Sequence, residues 1–244
     1  MNDTKFFLSK APIIQAILQI RVEEGIVKDN STLQGLHKKF IENFPDQKKR
    51  IKGRFTFHSK TEQLLSQSEV DGYHFISSDM MKKIVVELDS FAYIQSNPYN
   101  SWEEFVEEAA KYWRIYKDFI QPKGISRLSV RYVNKIEIEL PINDLRDHFK
   151  TYIVIPEDLP QTIQSFYFKF TIPYKDQQTL ANISLTAGKA EGIKVPFLLD
   201  IDVLDLKNRT IEEQEIWENF NILRNYKNSV FKNCLTDSLF NKLK

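Results

Sequence analysis

From Ile14 the chain alternates: Ile14, Ala16, Leu18, Ile20 and Val22 fall on one side, and Gln15, Gln19, Arg21 and Glu23 on the other. A period of two predicts a strand with one buried face. The period then lengthens. Leu33, Leu36, Phe40, Ile41 and Phe44 recur at helical spacing behind Ser31, a suitable cap, and Pro45 stops the run. Alternation returns for strands at Ile51 to His58, Glu62 to Glu69, Tyr73 to Ser77 and Lys83 to Ile94. Asp71-Gly72 is a tight-turn signal between two of these strands. A long helix follows, with Ser101 and Glu104 forming a capping box. Its apolar stripe runs Trp102, Phe105, Ala109, Tyr112, Trp113, Tyr116, Phe119 and Ile120, and Gln121-Pro122-Lys123-Gly124 ends it.

The pattern then begins again. Leu128, Val130, Tyr132, Ile136 and Ile138 line one face of a strand. A short helix after Pro141 sets Leu145 and Phe149 four apart, as Leu36 and Phe40 are. Strands at Ser165 to Pro173, Thr179 to Thr186 and Val195 to Leu206 lead to a last helix with Trp217, Phe220, Leu223, Val230, Phe231, Cys234 and Leu235 on its stripe. Trp102 to Ile120 aligns without a gap on Trp217 to Leu235: Trp102/Trp217, Glu103/Glu218, Phe105/Phe220 and Lys117/Lys232 are identical. The expectation is an internally duplicated α+β fold, each half a strand, a helix, several antiparallel strands and a long helix. The halves would be residues 1–122 and 123–244, packed as a pseudo-twofold pair. The break at Gln121 to Gly124 is too short to let them move freely, so one rigid body is expected.

Composition narrows the class. A chain of 244 residues can bury a sizeable core, and 42% hydrophobic with 27% charged residues is ordinary for a globular protein. The 18 Phe and 10 Tyr against 7 Gly suit sheets and aromatic packing. The formal net charge of +1 supplies no global field toward nucleic acid or membrane, so such a partner would need a local patch. No apolar run reaches the ~18 residues that would span a bilayer. The single Cys234 permits no internal disulfide and fits a reducing, cytoplasmic setting, in which Asn30, Asn182 and Asn208 are chance sequons.

Candidate chemistry is sparse. Lys48, Lys49, Arg50, Lys52 and Arg54 fall within seven residues and could bind phosphate or nucleic acid, or simply guard a strand edge. Arg127 and Arg131 share a strand face and Asn134 interrupts an apolar one; together they could hold a small anionic ligand between the halves, or pair locally. Asp200 and Asp202 share a face, but lack a further acid or His at metal-ligand spacing, and the four His are scattered, so no metal is expected. Walker, G-x-G-x-x-G and G-x-S-x-G motifs are missing, so no catalytic residue and no cofactor is assigned.

Leu8-x-x-Ala11-Pro12-Ile13, the central Arg127-x-x-x-Arg131-Tyr132-Val133-Asn134 and the closing aromatic helix resemble a family of sporadically distributed bacterial proteins of about this length. The likeness runs from near residue 6 to about residue 240. It implies no activity and no functional residue. The patchy distribution implies accessory cargo of mobile or defence loci. The first expectation is therefore a non-enzymatic interaction protein with a protein partner, an accessory subunit in a bacterial defence or stress pathway. The alternatives are a nucleotide or small-anion sensor using Arg127, Arg131 and Asn134, and a nucleic-acid binder using Lys48 to Arg54.

Overall fold

The computed structural model describes residues 8–58, 63–161 and 163–244, without the side chains of 54–58 and 63–67. Nine strands form one antiparallel sheet: β1 (Ile13–Val22), β2 (Asp46–His58), β3 (Gln63–Ile76), β4 (Lys82–Glu87), β5 (Ser90–Ser96), β6 (Ile125–Glu139), β7 (Tyr167–Pro173), β8 (Thr179–Ala187) and β9 (Lys194–Asp205). Their order is β2-β3-β4-β5-β1-β6-β9-β8-β7. Among the described residues four helices accompany them: α1 (His37–Phe40), α2 (Trp102–Ile120), α3 (Glu213–Cys234) and α4 (Asp237–Lys242).

This corrects the expected duplication. Among the described residues the strands form a single sheet, and no strand-helix repeat is shown. The segment Asn30–Leu36 is a 3-10 turn leading into α1 that buries Leu33, Leu36 and Phe40, whereas its expected counterpart, Leu145–Asp147, is one turn with nothing buried. The matching long helices differ where it counts. Trp102 opens α2 and is buried, while Trp217 comes a full turn after α3 opens and is half-exposed. Where α2 buries Tyr112 and Trp113, α3 buries Lys227 and Asn228. The shared letters are those of any helix that starts on acids and lays an aromatic stripe on a sheet.

By compactness the chain divides into two units, one of residues 1–17, 128–206 and 213–244, the other of 18–127 and 207–212. The second unit is built around α2. Ser101 caps it by accepting the Glu104 N–H at 3.1 Å, and Gln121 ends it in a left-handed conformation. Its stripe buries a cluster of rings: Tyr112 meets Phe40 and Phe44 edge-on at 5.7 and 4.9 Å, Tyr93 packs on Phe105 at 5.4 Å, and Trp113 on Phe91 at 5.9 Å. Such pairs each add about 0.5–1.5 kcal/mol beyond area burial. At the margin, Tyr93 Oη donates to Glu108 at 2.6 Å and Lys82 Nζ sits 2.7 Å from the same carboxylate. Burial and that carboxylate push the Tyr93 hydroxyl far up from its ordinary ionisation range.

Asp71-Gly72 does not turn the chain. It lies inside β3, where a bulge opposite Arg50 and Ile51 absorbs the extra residue. Asp71 faces Arg50 at 3.6 Å. A Cβ on Gly72 would lie 2.2 Å from the Val86 carbonyl oxygen of β4, so glycine serves close strand approach here. The real turn falls within the stretch read as one strand, between β4 and β5.

In the first unit, β6, β8 and β9 bury alternate residues on one face, and α3 packs against β9. Val130, Tyr132, Ile136, Ile183, Leu185, Leu199 and Ile201 are buried with Phe220, Leu223 and Phe231 of the helix. The opposite face is polar: Arg131 stands across from Asp202, Asp202 from Asn182, and Asn182 from Thr171.

Candidate functional site

The 27 residues between β6 and β7 contain, among those described, one short 3-10 turn, where connections of 4–6 residues are the norm. Loops of this length without their own secondary structure are usually functional or disordered, and this one is pinned. Phe149 bridges to Leu235, the Lys150 N–H donates to the Cys234 carbonyl at 2.9 Å, and the Thr236 N–H to the His148 carbonyl at 3.0 Å. The junction of α3 and α4 thereby holds the loop while the Phe149 ring packs on Phe197 of β9 at 5.2 Å and Phe197 on Phe166 at 6.2 Å.

Together with the β8–β9 turn, the loop lines a half-open cavity of about 1300 Å³. Ile142, Ile153, Ile155, Ile163, Val195 and Phe197 supply the apolar part of a mixed wall, and Asn143, Gln161, Gln164 and Ser165 supply uncharged polar groups. Its formal charges sum to zero: Arg146 is taken by Asp144, with the Arg146 Nε donating at 2.7 Å, and the lining also holds one Lys, Lys189, and one Glu, Glu157. Mutual hydrogen bonding and charge hold the Asp144 carboxyl below, and the Arg146 guanidinium above, their ordinary values, so neither is a spare ion for a ligand. Beside the cavity, Tyr152, Ile153, Val154 and Leu159 leave apolar surface in water, Val154 at 79% exposure.

The residues singled out from sequence lie elsewhere. Arg131 forms a bidentate pair with Asp200 at 2.8 and 2.6 Å, while Asn134 is buried on the opposite face, where its Nδ2 donates to the Leu199 carbonyl at 3.0 Å. The Arg127 Nη2 donates to Gln19 Oε1 at 2.5 Å. The three are therefore held by separate partners and do not converge. Asp200 and Asp202 do share a face, but Asp200 takes Arg131 and Asp202 accepts from Ser129. Among the described residues no group of three His, Cys, Asp or Glu could hold a metal.

The basic run lies on β2, the first strand in the sheet order. Lys48, Lys49 and Lys52 are exposed, while Arg50 is half-buried and bound to Glu87 as well as Asp71. Burial raises the Glu87 carboxyl, against the pull of that guanidinium. Lys48 stands opposite His74 and Lys49 opposite Tyr73, so neighbours point to opposite faces, and the bulge after Arg50 breaks the register. The side chain of Arg54 lies outside the described residues.

One group was passed over in the sequence. Lys227, in the middle of α3, is 8% exposed and its ammonium lies 3.8 Å from the centroid of the Tyr132 ring. Burial, helped by the nearby Arg224 charge, pushes its amine down to about 7. Its signal was available: position 227 falls on the stripe of Leu223 and Val230, at a spacing of four and three. The Arg-Tyr-Val-Asn stretch is thus engaged throughout, Arg131 with Asp200, Tyr132 with Lys227 and Asn134 with Leu199.

No helix among the described residues is long and apolar enough to cross a membrane. Compared with known proteins, the chain matches no family model and no curated protein.

Proposed function

We propose that this protein works by binding, as an interaction protein whose loop-lined cavity takes an extended, largely uncharged and apolar segment of a protein partner. The observation that carries this reading is the cavity itself. At about 1300 Å³ it exceeds the ~300–1,000 Å³ usual for small-molecule sites, its formal charges sum to zero, and its one arginine is already paired with Asp144. An anionic nucleotide would find no spare cation in the Asp144–Arg146 pair. A peptide with apolar side chains would instead cover Tyr152, Ile153 and Val154, surface whose exposure otherwise costs about 25 cal/mol per Å². Because the loop is tied to the α3–α4 junction, little ordering entropy would be lost on binding.

The test is selection from a displayed peptide library on the immobilised protein, followed by fluorescence anisotropy of the enriched peptides. Peptides rich in apolar and aromatic residues should emerge. The double substitution Ile153→Asp, Val154→Asp should weaken them at least tenfold, about 1.4 kcal/mol, without changing the melting temperature. Binding that ignores both substitutions, or enrichment of acidic peptides alone, contradicts the assignment. The accessory role in a bacterial defence or stress pathway is part of the same proposal and rests on the sequence resemblance.

A further inference from the structure

The two strands at the ends of the sheet order are treated differently. β2 carries Lys48, Lys49, Arg50 and Lys52, and a bulge in β3 breaks its register there; exposed lysines are a usual device that stops a strand from pairing further. β7, Tyr-Phe-Lys-Phe-Thr-Ile-Pro, has one lysine, an unbroken register with β8 and none of its seven residues buried. Tyr167 is 63% and Ile172 44% exposed. Among the described residues β8 is its one neighbour. A lightly guarded, aromatic strand, with one lysine and a proline only at its end, is a template for another strand.

The direction of its free backbone groups follows from the hairpin. The Tyr174 N–H donates to the Thr179 carbonyl at 2.8 Å, which makes that opposed pair a hydrogen-bonded one. Antiparallel pairs alternate, so Phe168, Phe170 and Ile172 turn their N–H and C=O toward β8. Tyr167, Lys169 and Thr171 turn theirs outward, and Pro173 its carbonyl. Proline, having no N–H, sits at an outward position, where none is missed by β8.

We infer that β7 is a self-pairing edge, joining the β7 of a second copy of this chain antiparallel about a twofold axis at Phe170. In that register each Lys169 faces the other copy's Thr171, and their outward N–H and C=O groups meet. Tyr167 faces Pro173, Phe168 faces Ile172, and Phe170 faces itself. No like charges are opposed. Moving the axis to Lys169 would set lysine against lysine, and moving it to Thr171 would spend Lys169 on Pro173, which cannot donate. Charge and donor pattern both select the Phe170 axis. A pair of seven-residue strands is small for an interface, so self-association in the micromolar range is expected.

This inference is independent of the cavity. Its test is sedimentation of the full chain over micromolar to near-millimolar concentrations, with three variants. The wild type should shift toward twice the monomer mass as concentration rises. Thr171→Lys, which opposes Lys169 of the other copy twice per dimer, should weaken association by roughly tenfold; Thr171→Glu should strengthen it several-fold. Opposed non-hydrogen-bonded residues have Cα atoms about 4.5 Å apart, within disulfide reach. Phe170→Cys should therefore oxidise in air to a covalent dimer that the wild type, with its thiol buried, does not form. A wild type that stays monomeric throughout overturns the inference. So does a dimer indifferent to both Thr171 substitutions, because its interface then lies elsewhere. Circular dichroism of each variant separates misfolding from loss of pairing.

Discussion

Lys227→Met will flatten the pH dependence of stability between about pH 7 and pH 10. In the folded protein burial brings the Lys227 amine to about 7, and in the unfolded chain it returns to the ordinary lysine value near 10.5. The sign follows from proton counting. Between those values the unfolded chain holds a proton that the folded protein lacks, so raising the pH favours the folded state; below about 7 both are protonated and the penalty is constant. The wild type should therefore gain roughly 1 kcal/mol per pH unit relative to the variant across that window. Methionine keeps the volume and removes the charge, so the variant should also be the more stable of the two at pH 7, by a few kcal/mol. Urea unfolding of both proteins at pH 7, 8 and 9 measures it, with other titrating groups cancelling in the difference. A constant difference would mean that the Tyr132 ring, 3.8 Å away, keeps the ammonium charged in the fold.

The second large effect is expected at Gly72. Alanine there would place its Cβ 2.2 Å from the Val86 carbonyl oxygen and 3.2 Å from Glu87. A backbone carbonyl in a paired strand cannot swing aside, so β3 and β4 must separate locally. The loss should reach about 3 kcal/mol, and the melting temperature should fall by roughly 10 °C. If Asp71-Gly72 were a surface turn, the same substitution would cost less than about 1 kcal/mol. Thermal unfolding followed by circular dichroism distinguishes the two.

Local signals were legible where both ends of an element were marked. α2 runs from its Ser101 cap to Gln121 as the capping box and stripe require, and β1, β8 and β9 follow their alternation. The stretch from Lys83 to Ile94 reads as one strand because its alternation hardly breaks at the hairpin, whose turn has neither Gly nor Pro. Gly72 misleads for the opposite reason: a turn residue serves there to admit a neighbouring carbonyl. The duplication failed because amphipathic helices share letters without sharing burial, as Tyr112 and Lys227 show. The cavity was hidden from the sequence. Its wall comes from a loop with no period and from β9 and the β8–β9 turn, and their meeting depends on the Phe149–Leu235 bridge. Which strand ends the sheet is likewise a matter of pairing partners far apart in sequence, so the residues offered an edge guard as one reading of the basic run, and the sheet order was needed to put β2 at an end.

The clasp between the loop and the α3–α4 junction runs through Cys234, whose carbonyl holds Lys150 while burial pushes its thiol up to about 11. Because it is the chain's lone sulfhydryl, it doubles as a gauge native to the fold. Buried, it is shielded and poorly nucleophilic, so it reacts only in openings of the packing around it. The pace at which an alkylating reagent consumes it therefore counts those openings, with no label to be engineered in.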